Sequence, residues 1–265
     1  LNILVTGSKG FIGKNLLKKL KCLSNINILE FNRNDSEDFL EKCILKCDLI
    51  IHLAGEVRPN SSKDEFNNSN VLLTELILRL LKKQNKIIPI LITSSIHAKL
   101  LKNEYGKTKR ESEILIENYS KEFNVNCFIY RLPHVFGEGC KINYNSVIST
   151  WIYNSINNIE LNVFDRNIEM HYCYVQDIVN EFLEIVKFQN KSELYYEPEK
   201  IYKTTLGEVI DFINEFKLNI LNRNYYIKDN EFKQKLFQTY LDYLKTLNIL
   251  VTGSNGQLGS EIKEL

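Results

Sequence analysis

Three side chains in the middle of the sequence could together move a proton to or from an oxygen atom. Tyr105 and Lys109 stand four residues apart, so on a helix they lie on the same face. A nearby lysine ammonium favours the tyrosinate and lowers the pKa of a tyrosine, which is about 10 in water. Ser95 ends the apolar run "IIPILITSS", where its hydroxyl could donate to a carbonyl oxygen as negative charge develops there. We therefore predict a catalytic group of Ser95, Tyr105 and Lys109.

A glycine motif at the start of the chain could hold a dinucleotide. In "ILVTGSKGFIGKNLLKKL", Gly7 would allow a tight turn, Gly10 would let the backbone approach a pyrophosphate, and Gly13 would let helix and strand pack closely. The helix that begins at Phe11 and Ile12 would offer unpaired N–H groups to the phosphates. A strand before the motif and a helix after it favour this function over a simple tight turn.

The end of the second predicted strand, "EFNRND", bears on which dinucleotide binds. An acid here typically holds the ribose of NAD, whereas an arginine accommodates the 2′-phosphate of NADP. Asn32 and Arg33 take this place, Glu30 is predicted to point elsewhere, and Asp35 comes too late. We therefore expect NADP(H) rather than NAD(H), the alternative being that Arg33 is a solvated loop residue.

The order of predicted elements indicates an α/β fold with a doubly wound parallel sheet of the Rossmann type. Short runs of Ile, Leu and Val alternate with helical patterns as far as "VNCFIYRLP", which is typical of strands buried on both faces. After residue 137 the pattern is less regular, with helices expected near 145–156, 175–187 and 205–216. We interpret 1–246 as one unit, in which about 1–140 bind the dinucleotide and about 141–246 form a smaller, mainly substrate-binding portion.

Composition excludes several classes of protein. The 34 basic and 33 acidic residues give a net charge of +1, and no charged tail favours nucleic acid or a membrane surface as a partner. No apolar run has the length of a membrane span and no signal peptide is recognisable, so a cytoplasmic location is expected. The six cysteines include no C-x-x-C pair, and no histidine has a ligand-spaced partner, so we expect reduced cysteines and no metal site.

The motifs "TGSKGFIG", "HLAG", "SS" and "YGKTK" resemble those of the extended short-chain dehydrogenase/reductase superfamily, whose members act on nucleotide sugars. The resemblance implies that Ser95, Tyr105 and Lys109 form the catalytic triad and that Asp48 approaches the adenine. It also implies that Leu53, Ala54 and Gly55 line the cofactor and that "RLPHVFG", with Pro133, passes the nicotinamide. His134 stands in that motif where an asparagine is usual.

A closer resemblance covers about residues 1–246. "LAGEVRP", "YRLPHVFGEGCKINYNSVIST" and "DRNIEMHYCYVQDIV" are similar to the reductase portion of capsular-polysaccharide enzymes that form UDP-2-acetamido-2,6-dideoxy-L-talose. It implies NADPH-dependent reduction of a UDP-linked 4-keto-6-deoxy sugar at C4. Candidate substrate contacts are Arg58, His134, Asn145 and Arg166, although Arg166 could equally form a surface salt bridge. A cupin domain that epimerises the sugar follows in that family and none follows residue 246 here, so we expect another chain to epimerise the sugar or no such step.

Other functions remain open. A 4,6-dehydratase typically has Asp-Glu beside the serine, where this chain has Ile96 and His97. An NAD-dependent 4-epimerase is the main alternative, and a non-catalytic dinucleotide-binding relative is a second one that the intact triad disfavours. A homodimer is possible.

The last 19 residues repeat the start of the chain. "LNILVTGSNGQLGSEI" repeats Leu1 to Ser8 as Leu247 to Ser254 and resembles the start of a dTDP-4-dehydrorhamnose reductase. One strand and part of a helix cannot bury an apolar face alone. We therefore expect 247–265 to be a truncated second Rossmann βα fragment, the alternative being a tail that docks its strand on a sheet.

Overall fold

The computed structural model of the chain describes residues 1–58, 61–144, 146–188, 193–223, 227 and 230–245. The repeated segment 247–265 lies outside these residues, so its interpretation stays a prediction. Among the described helices, none combines the length and apolar character that crossing a bilayer requires.

The larger sheet has six described strands, all parallel, in the order β2-β1-β3-β4-β5-β8. Its buried strands are the predicted runs of Ile, Leu and Val, which suit a sheet covered on both faces. The chain crosses from β2 to β3 past β1, so the strand order reverses between β1 and β3, where ligands bind in doubly wound sheets. The predicted Rossmann-like α/β fold is confirmed. The strands are β1 (Asn2–Thr6), β2 (Asn27–Phe31), β3 (Leu49–His52), β4 (Ile90–Ser95), β5 (Cys127–Leu132) and β8 (Tyr195–Tyr196).

Helices cover both faces of this sheet. One face packs against α1 and α8, and the other against α2, α4 and α6. A π-helical stretch, Asn67–Leu72, joins α3 to α4. The helices of this part of the chain are α1 (Phe11–Leu20), α2 (Glu37–Lys46), α3 (Lys63–Phe66), α4 (Leu73–Lys83), α5 (His97–Leu100), α6 (Glu104–Phe123) and α8 (Val175–Phe188).

A smaller sheet, β6-β7-β9, forms the second layer of the molecule. It packs with three helices around an aromatic core that includes Phe136, Trp151, Tyr172, Phe216 and Phe232. Its elements are β6 (His134–Phe136), β7 (Glu169–Tyr174), β9 (Tyr202–Thr205), α7 (Val147–Ile156), α9 (Leu206–Leu221) and α10 (Glu231–Lys245).

The two layers are interleaved along the chain. Helix α8 and strand β8 come after residue 140, yet α8 packs on the larger sheet and β8 pairs with β5. A division near residue 140 therefore does not separate the residues that pack with the larger sheet from those that pack with the smaller one. Only Pro133 separates β5 of the larger sheet from β6 of the smaller one.

Candidate functional site

A cavity of about 960 Å³ lies at the carboxyl ends of the strands. Its volume suits a ligand of cofactor or substrate size. It brings together residues from the glycine loop, from β4 and α6, and from the smaller sheet. Predicted site residues that line it are Gly7, Gly10, Phe11, Ile12, Gly13, Leu53, Gly55, Ser95, Tyr105, Lys109, Pro133 and His134.

The glycine loop has the close approaches that its sequence predicts. Gly7 has φ +68°, and a Cβ there would lie 2.7 Å from the backbone nitrogen of Ala54 in the loop after β3. A Cβ on Gly13 would lie 2.4 Å from the Gly7 carbonyl oxygen, so α1 packs directly on the loop. No side chain caps α1 at Gly10, which leaves the first N–H groups of the helix beside the cavity. These features fit a dinucleotide pyrophosphate.

Ser95, Tyr105 and Lys109 reach the cavity from two adjacent elements. Ser95 is the last residue of β4, and its hydroxyl accepts a hydrogen bond from the His97 backbone at 3.2 Å. Tyr105 and Lys109 lie on α6, whose N-cap Asn103 accepts from the Gly106 amide at 2.7 Å. Tyr105 packs between the rings of Phe66 and His97, at centroid distances of 5.8 and 6.0 Å. The structure thus brings the three predicted residues to one cavity.

Burial controls the ionisation of this group. It raises the pKa of Tyr105 to about 12, against a smaller lowering by the Ser95 hydroxyl. It also lowers the pKa of Lys109 to about 8. The predicted lowering of the Tyr105 pKa by Lys109 is not found, because the lysine ammonium donates to the Thr93 carbonyl at 3.0 Å and desolvation dominates at the phenol.

The residues after β2 differ in part from the sequence interpretation. Glu30 was expected to point elsewhere, but its carboxylate accepts from the Ser8 hydroxyl in the glycine loop at 2.7 Å. The reason is that β2 lies directly beside β1, so Glu30 pairs with Val5 and reaches the loop that follows. Arg33 is 71% exposed and donates to the Glu56 carboxylate at 3.1 Å. It lies near the glycine loop but does not line the cavity.

Glu56 is a residue that the sequence analysis missed. Its side chain is fully buried and accepts from the Arg33 guanidinium, from the Nε and an Nη of Arg58 at 2.9 Å each, and from the backbone of Val57 and Arg58 at 3.0 Å. These donors lower its pKa to about 2, against the effect of burial. A lone acid directly after a buried strand, in "HLAGEVRP", was the signal that could have found it. Glu56 therefore bonds both to Arg33, an expected cofactor contact, and to Arg58, an expected substrate contact.

The Glu56 backbone is linked to helix α6, which carries Tyr105 and Lys109. Its amide donates to the Asn70 side chain at 2.9 Å, and the Asn70 amide donates to the Thr108 hydroxyl beside Lys109 at 3.1 Å. Arg58 does not line the cavity, but its guanidinium lies 5.9 Å from the ring centre of Tyr144, which does.

Two predicted residues are placed away from the cavity. Asp48 precedes β3 and accepts from the Asn2 backbone at 2.7 Å, so it lies at the amino edge of the sheet, opposite the glycine loop. The expectation that it approaches the adenine is therefore wrong. Arg166 donates to both carboxylate oxygens of Asp211, at 2.7 and 2.8 Å, and does not line the cavity. This is the surface salt bridge that the sequence left as the alternative.

Of the remaining predicted site residues, the structure describes Ala54. Ala54 backs the glycine loop, and its amide donates to the Thr6 hydroxyl at 3.2 Å. Asn145 lies outside the described residues. The described part of the chain holds no group of three or more His, Cys, Asp or Glu side chains placed to bind a metal ion.

A doubly wound sheet with a glycine loop and a Ser-Tyr-Lys cavity defines a Rossmann-like protein of the extended short-chain dehydrogenase/reductase class. The model of the NAD dependent epimerase/dehydratase family matches residues 3–196, and the chain belongs to that family.

Named relatives include two sugar-nucleotide reductases. The chain is 32% identical over 246 residues to a UDP-2-acetamido-2,6-beta-L-arabino-hexul-4-ose reductase of Pseudomonas aeruginosa, covering 92% of this chain and 65% of that protein. It is 24% identical over 263 residues to a dTDP-4-dehydro-6-deoxyglucose reductase of Escherichia coli, covering 82% of each. The chain thus spans slightly less than two thirds of the first of these relatives.

Solved structures show the same fold. The capsular polysaccharide assembling protein CapF from Staphylococcus aureus superposes with a TM-score of 0.82 at 37% identity, over 95% of this chain and 68% of that one. The UDP-glucose 4-epimerase of Thermotoga maritima superposes with a TM-score of 0.80 at 16% identity, over 94% and 100%, which shows the fold alone.

Proposed function

We propose that this chain is an NADPH-dependent reductase of a nucleotide-linked 4-keto-6-deoxy sugar, of the UDP-2-acetamido-2,6-dideoxy-hexulose type, in surface polysaccharide synthesis. The observation that carries the proposal is that Ser95, Tyr105 and Lys109 share one cavity with the glycine loop. The relative from P. aeruginosa is named for reduction of such a sugar, and the CapF protein for capsular polysaccharide assembly.

Each of these residues of the cavity would have a separate role in carbonyl reduction. The glycine loop and the N-terminus of α1 would hold the dinucleotide pyrophosphate, and the bound nicotinamide would supply the hydride. Ser95 would donate to the sugar carbonyl oxygen and orient it. Tyr105 would give its proton to the developing alkoxide, which a phenol with a raised pKa can do because it stays protonated at neutral pH. Lys109 would hold the nicotinamide ribose.

The preference for NADP(H) over NAD(H) is proposed from Arg33. Its guanidinium is largely exposed at the end of β2, with a single hydrogen bond to Glu56 among the described residues. Further N–H donors therefore remain for a 2′-phosphate. Glu30, which bonds to Ser8 in the glycine loop, is the feature that favours NAD(H). A comparison of NADPH with NADH as reductant tests the assignment directly.

The test of the function is a single substitution read by NADPH absorbance. Wild-type protein should oxidise NADPH with one or more members of a panel of UDP- and dTDP-linked 4-keto-6-deoxy sugars. Tyr105→Phe should lower the turnover number by about 100-fold or more, since it removes the proton donor, while NADPH still binds. Tyr153→Phe, an exposed position on α7, is the matched control and should keep full turnover.

Other outcomes would favour the alternatives. Interconversion of 4-epimers with NAD retained through the cycle would identify an epimerase and contradict net reduction. Cofactor binding with no turnover on any sugar of the panel would identify a non-catalytic relative. Undiminished turnover in Tyr105→Phe would remove Tyr105 from the mechanism.

A further inference from the structure

Two histidines line the same cavity as Tyr105, and carbonyl reduction as described above does not use them. The His97 ring lies 6.0 Å from the Tyr105 ring and 6.3 Å from the His134 ring, between centroids. His97 is half-buried and His134 is exposed within the cleft. Among the described residues, neither imidazole has a hydrogen-bond partner for its ring nitrogens. Both rings are thus available to a ligand.

Each histidine is placed by a different layer of the molecule. His97 is the first residue of α5, two residues after Ser95, and its backbone amide donates to the Ser95 hydroxyl. His134 is the first residue of β6 in the smaller sheet. The two rings meet edge to face, at an angle of 82°. A sugar whose carbonyl oxygen bonds to Ser95 and Tyr105 therefore has an imidazole from each layer close to its carbonyl group.

A 4-keto sugar carries C–H bonds from which these imidazoles could remove a proton. Hydrogens on the two carbons beside a ketone are acidic, because the electron pair left behind moves onto the carbonyl oxygen as an enolate. Ser95 and Tyr105 would stabilise that oxygen with the same hydrogen bonds that serve reduction. This reasoning rests on the proposed function, since it requires a ketone in the cavity.

We propose that His97 and His134 form an acid–base pair that removes and returns a proton at a carbon next to the sugar ketone. The site then enolises its substrate and exchanges that proton with solvent, in addition to reducing the carbonyl. The substrate class is a nucleotide-linked 4-keto-6-deoxy sugar, and the carbons concerned are C3 and C5.

The step balances without any redox partner. One imidazole accepts the proton as the C–H bond breaks, and the electron pair becomes the enolate. The enolate then reforms the ketone as the carbon takes a proton from an imidazolium. Because the two rings contact each other edge to face, no sugar ring fits between them, so the proton returns to the face that it left and the result is exchange with solvent without inversion.

Two further observations support the pair. The Tyr172 ring lies 6.0 Å from His134, and its hydroxyl is buried in the cavity wall with no hydrogen-bond partner among the described residues. That hydroxyl is too buried to meet a ligand, so the contribution of Tyr172 is the ring contact that holds the His134 imidazole in place. In addition, desolvation of the imidazole within the cleft lowers the pKa of His134, as do the imidazoles of His97 and His171, which favours the basic form at neutral pH.

Hydrogen–deuterium exchange tests the proposal separately from reduction. The protein is incubated in D₂O with NADP⁺, which cannot donate hydride, and a UDP-linked 4-keto-6-deoxy-N-acetylhexosamine. Deuterium at C3 and C5 is followed by mass spectrometry and NMR. Wild-type protein should incorporate deuterium about 100-fold faster than buffer alone, which is the usual scale of acid–base catalysis.

Two variants and one control assign the exchange to the histidines. His97→Gln and His134→Asn should each lower the ratio of the exchange rate to the NADPH-dependent reduction rate by about 10-fold or more. Lys102→Gln, at an exposed position that does not line the cavity, should leave both rates unchanged. The thermal unfolding midpoint of each variant shows whether it folds, and either histidine variant alone is sufficient for the comparison.

The proposal is overturned if wild-type exchange equals that of buffer, or if both histidine variants lose exchange and reduction in equal proportion. Failure of reduction with intact exchange would contradict the proposed reductase function and leave the acid–base pair in place. Failure of exchange with intact reduction would contradict the acid–base pair and leave the proposed reductase function in place.

Discussion

At the scale of single residues, the Glu56 carboxylate joins the two sides of the site. Arg33 and Arg58 are the expected contacts to cofactor and substrate, and both donate to this one buried side chain. A fully buried acid is stable as an anion only because guanidinium and backbone N–H groups surround it. Glu56 therefore fixes where two otherwise flexible arginines can reach.

Replacing Glu56 by Gln should weaken both the fold and cofactor discrimination. The variant loses charge-assisted hydrogen bonds and should lower the free energy of unfolding in urea by about 1–3 kcal/mol at pH 7. Because the pKa of Glu56 falls from its ordinary 4.5 to about 2, its contribution is complete above pH 4.5 and is lost as the pH falls towards 2. The difference between wild type and variant should shrink over that range.

Glu65→Gln is the matched control, because Glu65 also bonds to Arg58, at 3.2 Å, but is half exposed. Its cost should be below about 1 kcal/mol. The ratio of kcat/KM for NADPH to that for NADH should fall in Glu56→Gln and not in Glu65→Gln. An equal loss with both cofactors would show that Glu56 acts on the fold alone.

The residues that the sequence located are those whose function depends on near neighbours. Tyr105 and Lys109 share a helix face, so their spacing alone brings them together. Arg166 depends on Asp211, a partner far along the chain that no local pattern identifies, and the bond between Arg33 and Glu56 likewise spans 23 residues. The expectation for Asp48 came from the resemblance of motifs, whereas its position at the start of β3, parallel to β1, puts it at the sheet edge opposite the glycine loop.

At the scale of elements, the order of strand, glycine loop and helix at the start of the chain was predictable. The helix expected to begin at Phe11 is α1, Phe11–Leu20, because the glycine motif, the apolar spacing and the two lysines near its end all favour a helix there. The close packing predicted at Gly13 leaves no room for a side chain, since an added Cβ would lie against the backbone of Gly7 and Ser8.

Gly13→Ala should therefore damage cofactor binding more than helix propensity would suggest. Alanine is the better helix former, but its Cβ would lie 2.4 Å from the Gly7 carbonyl oxygen and 2.8 Å from the Ser8 Cα, so the backbone must move. We expect the dissociation constant for NADPH to rise by about 10-fold or more, measured by fluorescence titration. Lys14→Ala, at the next, exposed position of α1, should bind NADPH as wild type does. Wild-type affinity in Gly13→Ala would show that the loop can relax.

At the scale of the whole molecule, α8 and β8 bind the late part of the chain to the early part. Phe182 of α8 is fully buried and packs edge to face on Tyr130 of β5, at 5.0 Å between centroids. Val175, Ile178 and Val179 lie in the same cluster as Ile3 and Val5 of β1. The core of the dinucleotide-binding sheet therefore includes residues from beyond position 170.

A fragment of residues 1–140 should not fold cooperatively, because it exposes the sheet face that α8 covers. A fragment of residues 1–246 should unfold in a single transition and keep the NADPH affinity and turnover of the full chain. Urea unfolding followed by circular dichroism and tryptophan fluorescence separates the two cases, with Trp151 as the probe in the longer fragment. Cooperative unfolding of 1–140 would show that the two parts are independent, and a large loss of turnover in 1–246 would indicate a function for 247–265.

Because only Pro133 separates β5 from β6, the part of the site beside the substrate can change separately from the part that holds the cofactor. His134 reaches the cavity from a strand that packs with the smaller sheet, whereas Tyr105 and Ser95 belong to the larger one. Substitutions at position 134 can therefore change the chemistry beside the substrate without repacking the layer that holds the dinucleotide. The reaction can therefore change during evolution through residues of the smaller layer, while the residues of the larger layer that hold the cofactor stay the same.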